Sequence, residues 1–329
     1  MHRGETATMA TVEYRQQLHP QMIEVLEKQA EILPGAKKVH QLGADDARRQ
    51  YAKGRAYWNA DAPSLEEIID TSIAGATGDI PVRVYRPVRQ TLLPALIYLH
   101  GGGWVVGNLD THDKIMRLIA LRSGAAVIGV DYRLAPEHKF PIAIDESCAV
   151  IRHVGDHAAD WGIDPQRLAI GGDSAGASLA VAVALALRDS TPSLLSLLVL
   201  VYGVFGLRDS PSRRLFGERR DALSNKDMDY YINSYLRGPE DHYDTRFNVL
   251  AADLRGLPPA FIAAAGMDLL LDDSITMHQL MDAAGVTSQL KVYDGVLHGF
   301  LHYSRTLDLA GVAIDDTAAA LRSAFACRS

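Results

Sequence analysis

The chain has 329 residues, 48% of them hydrophobic and 22% charged, with 33 basic against 40 acidic side chains and a formal charge of −7. That composition suits a soluble globular enzyme, and the lack of a long basic run argues against a nucleic-acid partner, which requires clustered Lys and Arg. Two cysteines, Cys148 and Cys327, stand far apart without C-x-x-C spacing, so neither a disulfide framework nor a structural zinc site is expected. Cys148 reads as a buried thiol and Cys327 as a residue of the tail.

Residues 1–14 are polar and mixed, with no apolar core of a signal peptide. The longest apolar stretches, 180–187 and 194–201, fall short of the roughly 20 residues that span a bilayer. A soluble, cytoplasmic protein with no stable membrane association is the expectation. From Thr11 to about Ile69 the chain reads as helices broken by turns, with apolar residues at helical intervals from Val12 to Leu33 and a stop at Pro34-Gly35. This prefix is too poor in apolar residues to form its own core, so it is expected to pack on a larger body.

Short apolar runs then alternate with helical patterns. Strands are expected at 81–85, 95–99, 126–130, 168–170, 197–202, 260–264 and 289–293, and helices at 111–121, 141–154, 177–187 and 273–284. Strands without polar alternation are buried on both faces, as in a mainly parallel sheet wrapped by helices. Between Tyr202 and Ala260 nearly sixty residues, rich in charge and aromatics, interrupt this rhythm, with a helix expected from Asn225 to Leu236 behind Ser224 as N-cap. An insertion at the end of a strand commonly covers a site.

Gly172-Asp173-Ser174-Ala175-Gly176 follows one strand and opens a helix. The pattern G-x-S-x-G is weak alone, but a sharp strand-to-helix turn exposes a serine Oγ above a sheet and admits only small flanking residues. The plainer alternative is a glycine-rich helix start with Ser174 as N-cap. His100-Gly101-Gly102-Gly103-Trp104 follows another strand. Three glycines in a row carry an entropic penalty of roughly 0.5–1 kcal/mol each in regular structure, and they make sense where backbone must approach a ligand. The amides of Gly102, Gly103 and Ala175 are therefore candidates for an oxyanion hole.

A serine nucleophile needs a base, and the base needs a carboxylate, in the chain order Ser, acid, His. His298, in a loop after the last expected strand, is favoured over His302, its nearest rival, and over His242 and His278. Asp268, at a strand end, is favoured over Asp272 and Asp273, whose place at a helix start suggests capping. Trp104, Tyr202 and Phe205 lie near strand ends and are candidates for a substrate pocket, with core packing as the alternative. No H-E-x-x-H spacing suggests a metal, and no G-x-G-x-x-G follows the first strand, so neither a metalloenzyme nor a Rossmann dehydrogenase is expected.

Taken together, HGGGW at 100–104, DYRLAPEHKFP at 131–141, GDSAG at 172–176, the segment from Leu254 to Asp268 and HGF at 298–300 resemble the hormone-sensitive-lipase-like esterases, bacterial family IV. The Asp within GDSAG matches one of that family's two subgroups. The resemblance implies an α/β-hydrolase with a mainly parallel eight-stranded sheet, and a helical cap made from residues 1–69 plus an insertion at about 205–255 on a catalytic domain of 70–329. It implies Ser174, Asp268 and His298 as a triad, His100 and the stretch 132–141 as buttresses, no cofactor, and a possible homodimer. Two departures stand out: Leu269 follows the acid where the family usually has Pro, and Phe247-Asn248-Val249 replaces a frequent Ser-Pro. The expected activity is hydrolysis of short- to medium-chain acyl esters through an acyl-serine. Amide, carbamate or lactone hydrolysis and a non-catalytic binding protein on the same fold are the alternatives, the latter disfavoured because His298 is present.

Overall fold

The computed structural model describes residues 14–89, 92–188, 190, 194–219 and 221–327. Eight strands form one sheet: β1 (Glu67–Gly75), β2 (Gly78–Arg86), β3 (Leu93–Leu99), β4 (Ala126–Val130), β5 (Ile163–Asp173), β6 (Leu195–Val201), β7 (Ala260–Ala265) and β8 (Ser288–Tyr293). Their spatial order is β1-β2-β4-β3-β5-β6-β7-β8. β1 pairs antiparallel with β2, and β2 with β4, while every pairing from β4 to β8 is parallel. All residues of β4, β6 and β7 are buried, which is why those strands read as unbroken apolar runs.

Six helices wrap or extend this sheet: α1 (Pro20–Ile32), α2 (Ala44–Asn59), α3 (Asp113–Ser123), α4 (Ile142–Asp156), α5 (Ala175–Arg188) and, after β6, the short α6 (Pro211–Phe216). Three more follow: α7 (Asn225–Tyr235), α8 (Leu271–Ala283) and α9 (Asp308–Ala326). The pairs α3–α9 and α4–α5 pack together against the sheet. α5 is buried from Ala175 through Ala184 on every side, as expected of a helix that is apolar all round.

The seven expected strands are present, and β1 is an addition. The sequence reading carried helices to about Ile69, whereas the chain is extended from Glu67. The reason is position: β1 is an edge strand bonded on one side only, and of its nine residues only Ile73 is buried. Such a strand carries little hydrophobic pattern, and its pairing is set by the two-residue turn between Gly75 and Gly78. The expected helix from Val12 to Leu33 is split: 14–17 are helical, and α1 begins afresh at Pro20, while positions 12 and 13 lie outside the described residues. At the break, the His19 amide donates to the Gly295 carbonyl (2.8 Å), tying the prefix to the loop ahead of His298.

The insertion after β6 contains α6 and α7. Ser224 caps α7 as expected: its Oγ accepts from the Asp227 amide, and the Asp227 carboxylate in turn accepts from the Ser224 amide (3.1 Å) and hydroxyl (2.7 Å). Together α1, α2 and α7 stand over the carboxyl ends of the parallel strands.

Candidate active site

Ser174 sits at the sharp turn between β5 and α5 with φ of +54°, in the left-handed region that a non-glycine residue rarely occupies. Its amide donates to the Val201 carbonyl (2.8 Å), holding the turn against β6. The flanking glycines are required by space. A Cβ on Gly172 or on Gly176 would collide with the Leu99 carbonyl oxygen at the end of β3. The motif spacing thus records how closely β3 approaches both sides of the serine.

Three sequence candidates meet at this turn. His298 Nε2 lies 2.9 Å from Ser174 Oγ, and His298 Nδ1 lies 2.7 Å from Asp268 Oδ2. An ionised carboxylate only accepts, so the imidazole donates through Nδ1 and leaves the Nε2 lone pair facing the serine hydroxyl. Asp268 is fixed further by the Leu270 amide donating to Oδ1 (3.0 Å). Leu269, where Pro is common, leaves this arrangement intact. His298 is also held from the side by the Tyr202 ring, edge-on at 4.9 Å.

Gly102 and Gly103 turn through positive φ values of +125° and +59°. Their amides and that of Ala175, the first residue of α5, have no hydrogen-bond partner among the described residues. Gly102 and Gly103 line a cavity of about 590 Å3 together with Trp104, Ser174, Tyr231 and His298, and Ala175 follows Ser174 directly in the chain.

Asp173 holds this loop in place. Its Oδ1 accepts from the Gly101 amide and the Tyr98 hydroxyl (2.9 Å each), and His112 Nε2 stands 3.4 Å away. Burial alone would raise its pKa. The facing His112 and these donors outweigh that effect and hold the carboxyl at about 2. His100 is kept neutral, its pKa pushed down to about 3 mainly by burial, with His112 adding to the effect. It donates through Nδ1 to the Gly101 carbonyl (2.9 Å), stacks on Tyr132 (4.4 Å), and its own carbonyl accepts from the Tyr132 hydroxyl (2.6 Å). The segment 132–141 therefore backs the glycine loop from behind.

The other candidates separate. His302 is a buried residue of the cavity wall, its Nε2 3.5 Å from the Tyr51 hydroxyl and not bonded to Ser174. His278 bonds Ser288, and His242 packs on Phe247 in the insertion. Asp272 and Asp273, read as helix caps, anchor the insertion instead. Asp273 Oδ1 accepts from the amides of Phe205 (2.8 Å), Gly206 (3.0 Å) and Leu207 (3.2 Å), and Asp272 accepts from Ser212 (2.7 Å). Of the pocket candidates, Trp104 lines the cavity, but Tyr202 and Phe205 do not. Tyr202 lies under His298, and Phe205 folds its ring back on Gly203, so both are core residues of the strand-end turn. Lining residues from the cap, such as Tyr51, Arg55 and Tyr231, escaped the sequence reading because helical spacing alone does not show which face meets the cavity.

Among the described residues, one buried group, His112, Asp173 and His302, brings potential metal-ligating atoms within 4.8 Å of one another. Asp173 Oδ1 is already used by Tyr98 and Gly101. Cys148 is a free buried thiol whose pKa burial raises to about 11, and Cys327 is free and exposed.

A parallel sheet with a serine at the β5–α5 elbow, followed in chain order by Asp and His, defines the α/β hydrolases. Residues 96–302 match the alpha/beta hydrolase fold family, and the chain belongs to it, among the hormone-sensitive-lipase-like esterases. It is 44% identical over 274 residues to an acetyl esterase of Salmonella choleraesuis, covering 82% of this chain and 84% of that protein. Its fold is similar to that of a hyperthermophilic esterase from the archaeon Pyrobaculum calidifontis, with TM-score 0.89, 34% identity, and coverage of 93% of this chain and 98% of that one. It is also similar to EstE1, a thermostable carboxylesterase cloned from a metagenomic library, with TM-score 0.85, 36% identity and coverage of 87% and 98%. The chain is a carboxylic-ester hydrolase.

Proposed function

We propose that Ser174, His298 and Asp268 act as nucleophile, general base and orienting carboxylate, with the amides of Gly102, Gly103 and Ala175 as oxyanion hole. The observation that carries this reading is the unbroken relay Asp268–His298–Ser174 at 2.7 and 2.9 Å. His298 Nε2 takes the Ser174 proton as Oγ attacks the ester carbonyl, and the carbonyl electrons move onto an oxygen facing the three amides. One donor of such a hole is worth about 2.7–4 kcal/mol in the transition state. Collapse of the intermediate expels the alcohol, which takes the proton from His298. Water then attacks the acyl-serine and gives its proton to the same histidine; as the Oγ–acyl bond breaks, His298 returns that proton to Ser174 Oγ and the acid leaves.

Residues 14–66 and about 205–255 act as the cap, supported by the cavity walls that α1, α2 and α7 supply. Acyl groups accepted are short to medium. Gly103 meets the Tyr231 ring so closely that no Cβ would fit between them, so α7 closes the cavity directly above the glycine loop. The similarity to an acetyl esterase supports the lower end of that range. The protein works in a reducing compartment such as the cytoplasm, in keeping with two unpaired cysteines, and forms a homodimer through β8, which has a free edge. Among the described residues no helix is long and apolar enough to cross a membrane. The test is hydrolysis of aryl esters of rising acyl length. Turnover that peaks at short chains and collapses in Ser174→Ala and His298→Ala supports the proposal, and unchanged turnover in either variant contradicts it.

A further inference from the structure

Arg55 of α2 is a half-buried cation lining the reaction cavity, with no counter-charge among the described residues. Its guanidinium carbon lies 4.6 Å from the Tyr51 ring centre and 5.5 Å from that of Tyr303, and Nη1 donates to the Tyr303 hydroxyl (3.2 Å). Among the described residues no carboxylate is paired with it, and its direct partners are Tyr51 and Tyr303. Other partly buried arginines of this chain behave differently: Arg48 pairs with Glu137, Arg83 with Asp70, and Arg133 with Glu146. A half-buried guanidinium at a cavity wall, held by two tyrosines and without a carboxylate partner, keeps its charge available to an anion that enters the cavity.

Its surroundings favour such a visitor. Nη2 lies beside Gly299, 3.7 Å from where a Cβ would stand, which puts the guanidinium next to the residue that follows His298. His302 beside it stays neutral, its pKa well below the usual value through burial first and the Arg55 charge second. Arg15, Lys37 and Lys38 line the same cavity. On the acidic side the cavity has Asp173, committed to Gly101 and Tyr98, and Asp221. An arginine fork matches a carboxylate with two parallel donors.

We propose that Arg55 recognises a carboxylate on the substrate, so that the preferred esters are anionic, carrying an acid group on either the acyl or the alcohol side. This rests on the ester-hydrolase reading above and narrows its substrate class. Arg55 is a specificity residue, outside the proton relay.

The experiment compares kcat/KM at low ionic strength for two pairs of esters: monomethyl succinate against methyl pentanoate, and acetoxyacetate against propyl acetate. Wild type is expected to favour the anionic member of at least one pair, and the favoured pair identifies the side of the ester that Arg55 reads. Arg55→Met should lower kcat/KM for that anionic ester about 10- to 100-fold, the range of a charge-assisted hydrogen bond, and change the neutral esters by no more than about threefold. Arg55→Lys should restore part of the loss. An anionic-to-neutral ratio that is the same in wild type and Arg55→Met overturns the proposal, as does a preference for the neutral member of both pairs. If Arg55→Met does not fold, wild type decides: succinamate should inhibit at least about tenfold more tightly than butanamide, and equal inhibition is contrary to the proposal. Absence of turnover on every ester, neutral ones included, would remove the ester reading itself, with succinamate binding still deciding the role of Arg55.

Discussion

The Met267 amide donates to the Val296 carbonyl at 3.0 Å, joining the loop that carries Asp268 to the loop that carries His298. The adjacent Gly266 amide donates to Tyr293 (2.8 Å), so the end of β7 and the loop after β8 are sewn together before the side chains meet. The Asp268–His298 distance is therefore a property of backbone pairing. Replacing Asp268 by Asn should keep this geometry, but with the Leu270 amide holding the single side-chain oxygen, the NH2 group faces Nδ1 and favours the wrong imidazole tautomer. We expect kcat on a short aryl ester to fall about 10⁴-fold with folding intact, checked by steady-state kinetics beside circular dichroism.

Asp173 tests a different link, from a buried network to the glycine loop. Asp173→Ala leaves the Gly101 amide, the Tyr98 hydroxyl and His112 facing an empty acceptor site. Breaking a buried network of this kind costs about 3–5 kcal/mol, and kcat should fall as the loop loses its anchor. Asp173→Asn retains an acceptor for Gly101 and should recover much of both losses. Urea unfolding and kcat for the two variants give the check, and equal behaviour of Ala and Asn would contradict it.

The buried His302 predicts a pH dependence. Its folded-state pKa lies well below the ordinary 6.5, mainly through burial, so below pH 6.5 the unfolded chain takes up a proton that the folded one refuses. Stability therefore falls as pH drops below that value, by about 1.4 kcal/mol per unit for one such group. Asp131 and Asp273, both raised to about 6 chiefly by burial, have the opposite sign between the ordinary carboxylate range and pH 6, and they mask this slope in wild type. The difference between wild type and His302→Gln removes the shared groups. The variant should gain on wild type by about 1.4 kcal/mol for each unit below pH 6.5, measured by urea unfolding at a series of pH values.

Tyr231 lines both the reaction cavity and a second cavity of about 150 Å3, forming part of the wall between them with Gln29, Leu33, Tyr51, Arg55 and Tyr303. Tyr231→Ala should join them. Each methylene newly accommodated is worth about 1–3 kcal/mol, so kcat/KM for medium-chain esters should rise relative to acetate by about tenfold or more. A chain-length series on the variant shows whether the optimum moves.

How much of this was legible in the sequence depends on what each residue had to satisfy. β6 and β7 announce themselves because both faces are buried, and β1 does not because it lies at an exposed edge. Ser174, Gly172 and Gly176 are readable together because the approach of Leu99 permits little else at those positions. His298 and Asp268 follow from chain order and from their place at strand ends. Asp273 was misread because its location on α8 suggests a cap, while its partners, the amides of 205–207, are brought to it by tertiary folding. Tyr202 and Phe205 failed as pocket residues for a similar reason: proximity to a strand end fixes neither the direction nor the depth of a side chain. Arg55 and Tyr231 carry no local signature, and their roles emerge only when α2 and α7 are laid over the sheet.

The most direct test of the central claim is rapid-quench intact mass spectrometry during turnover of an acetyl aryl ester, followed by peptide mapping. A transient adduct of one acetyl group on Ser174, absent in Ser174→Ala, is the predicted result. Turnover by wild type without any acyl adduct, or with the adduct on another residue, would contradict the account.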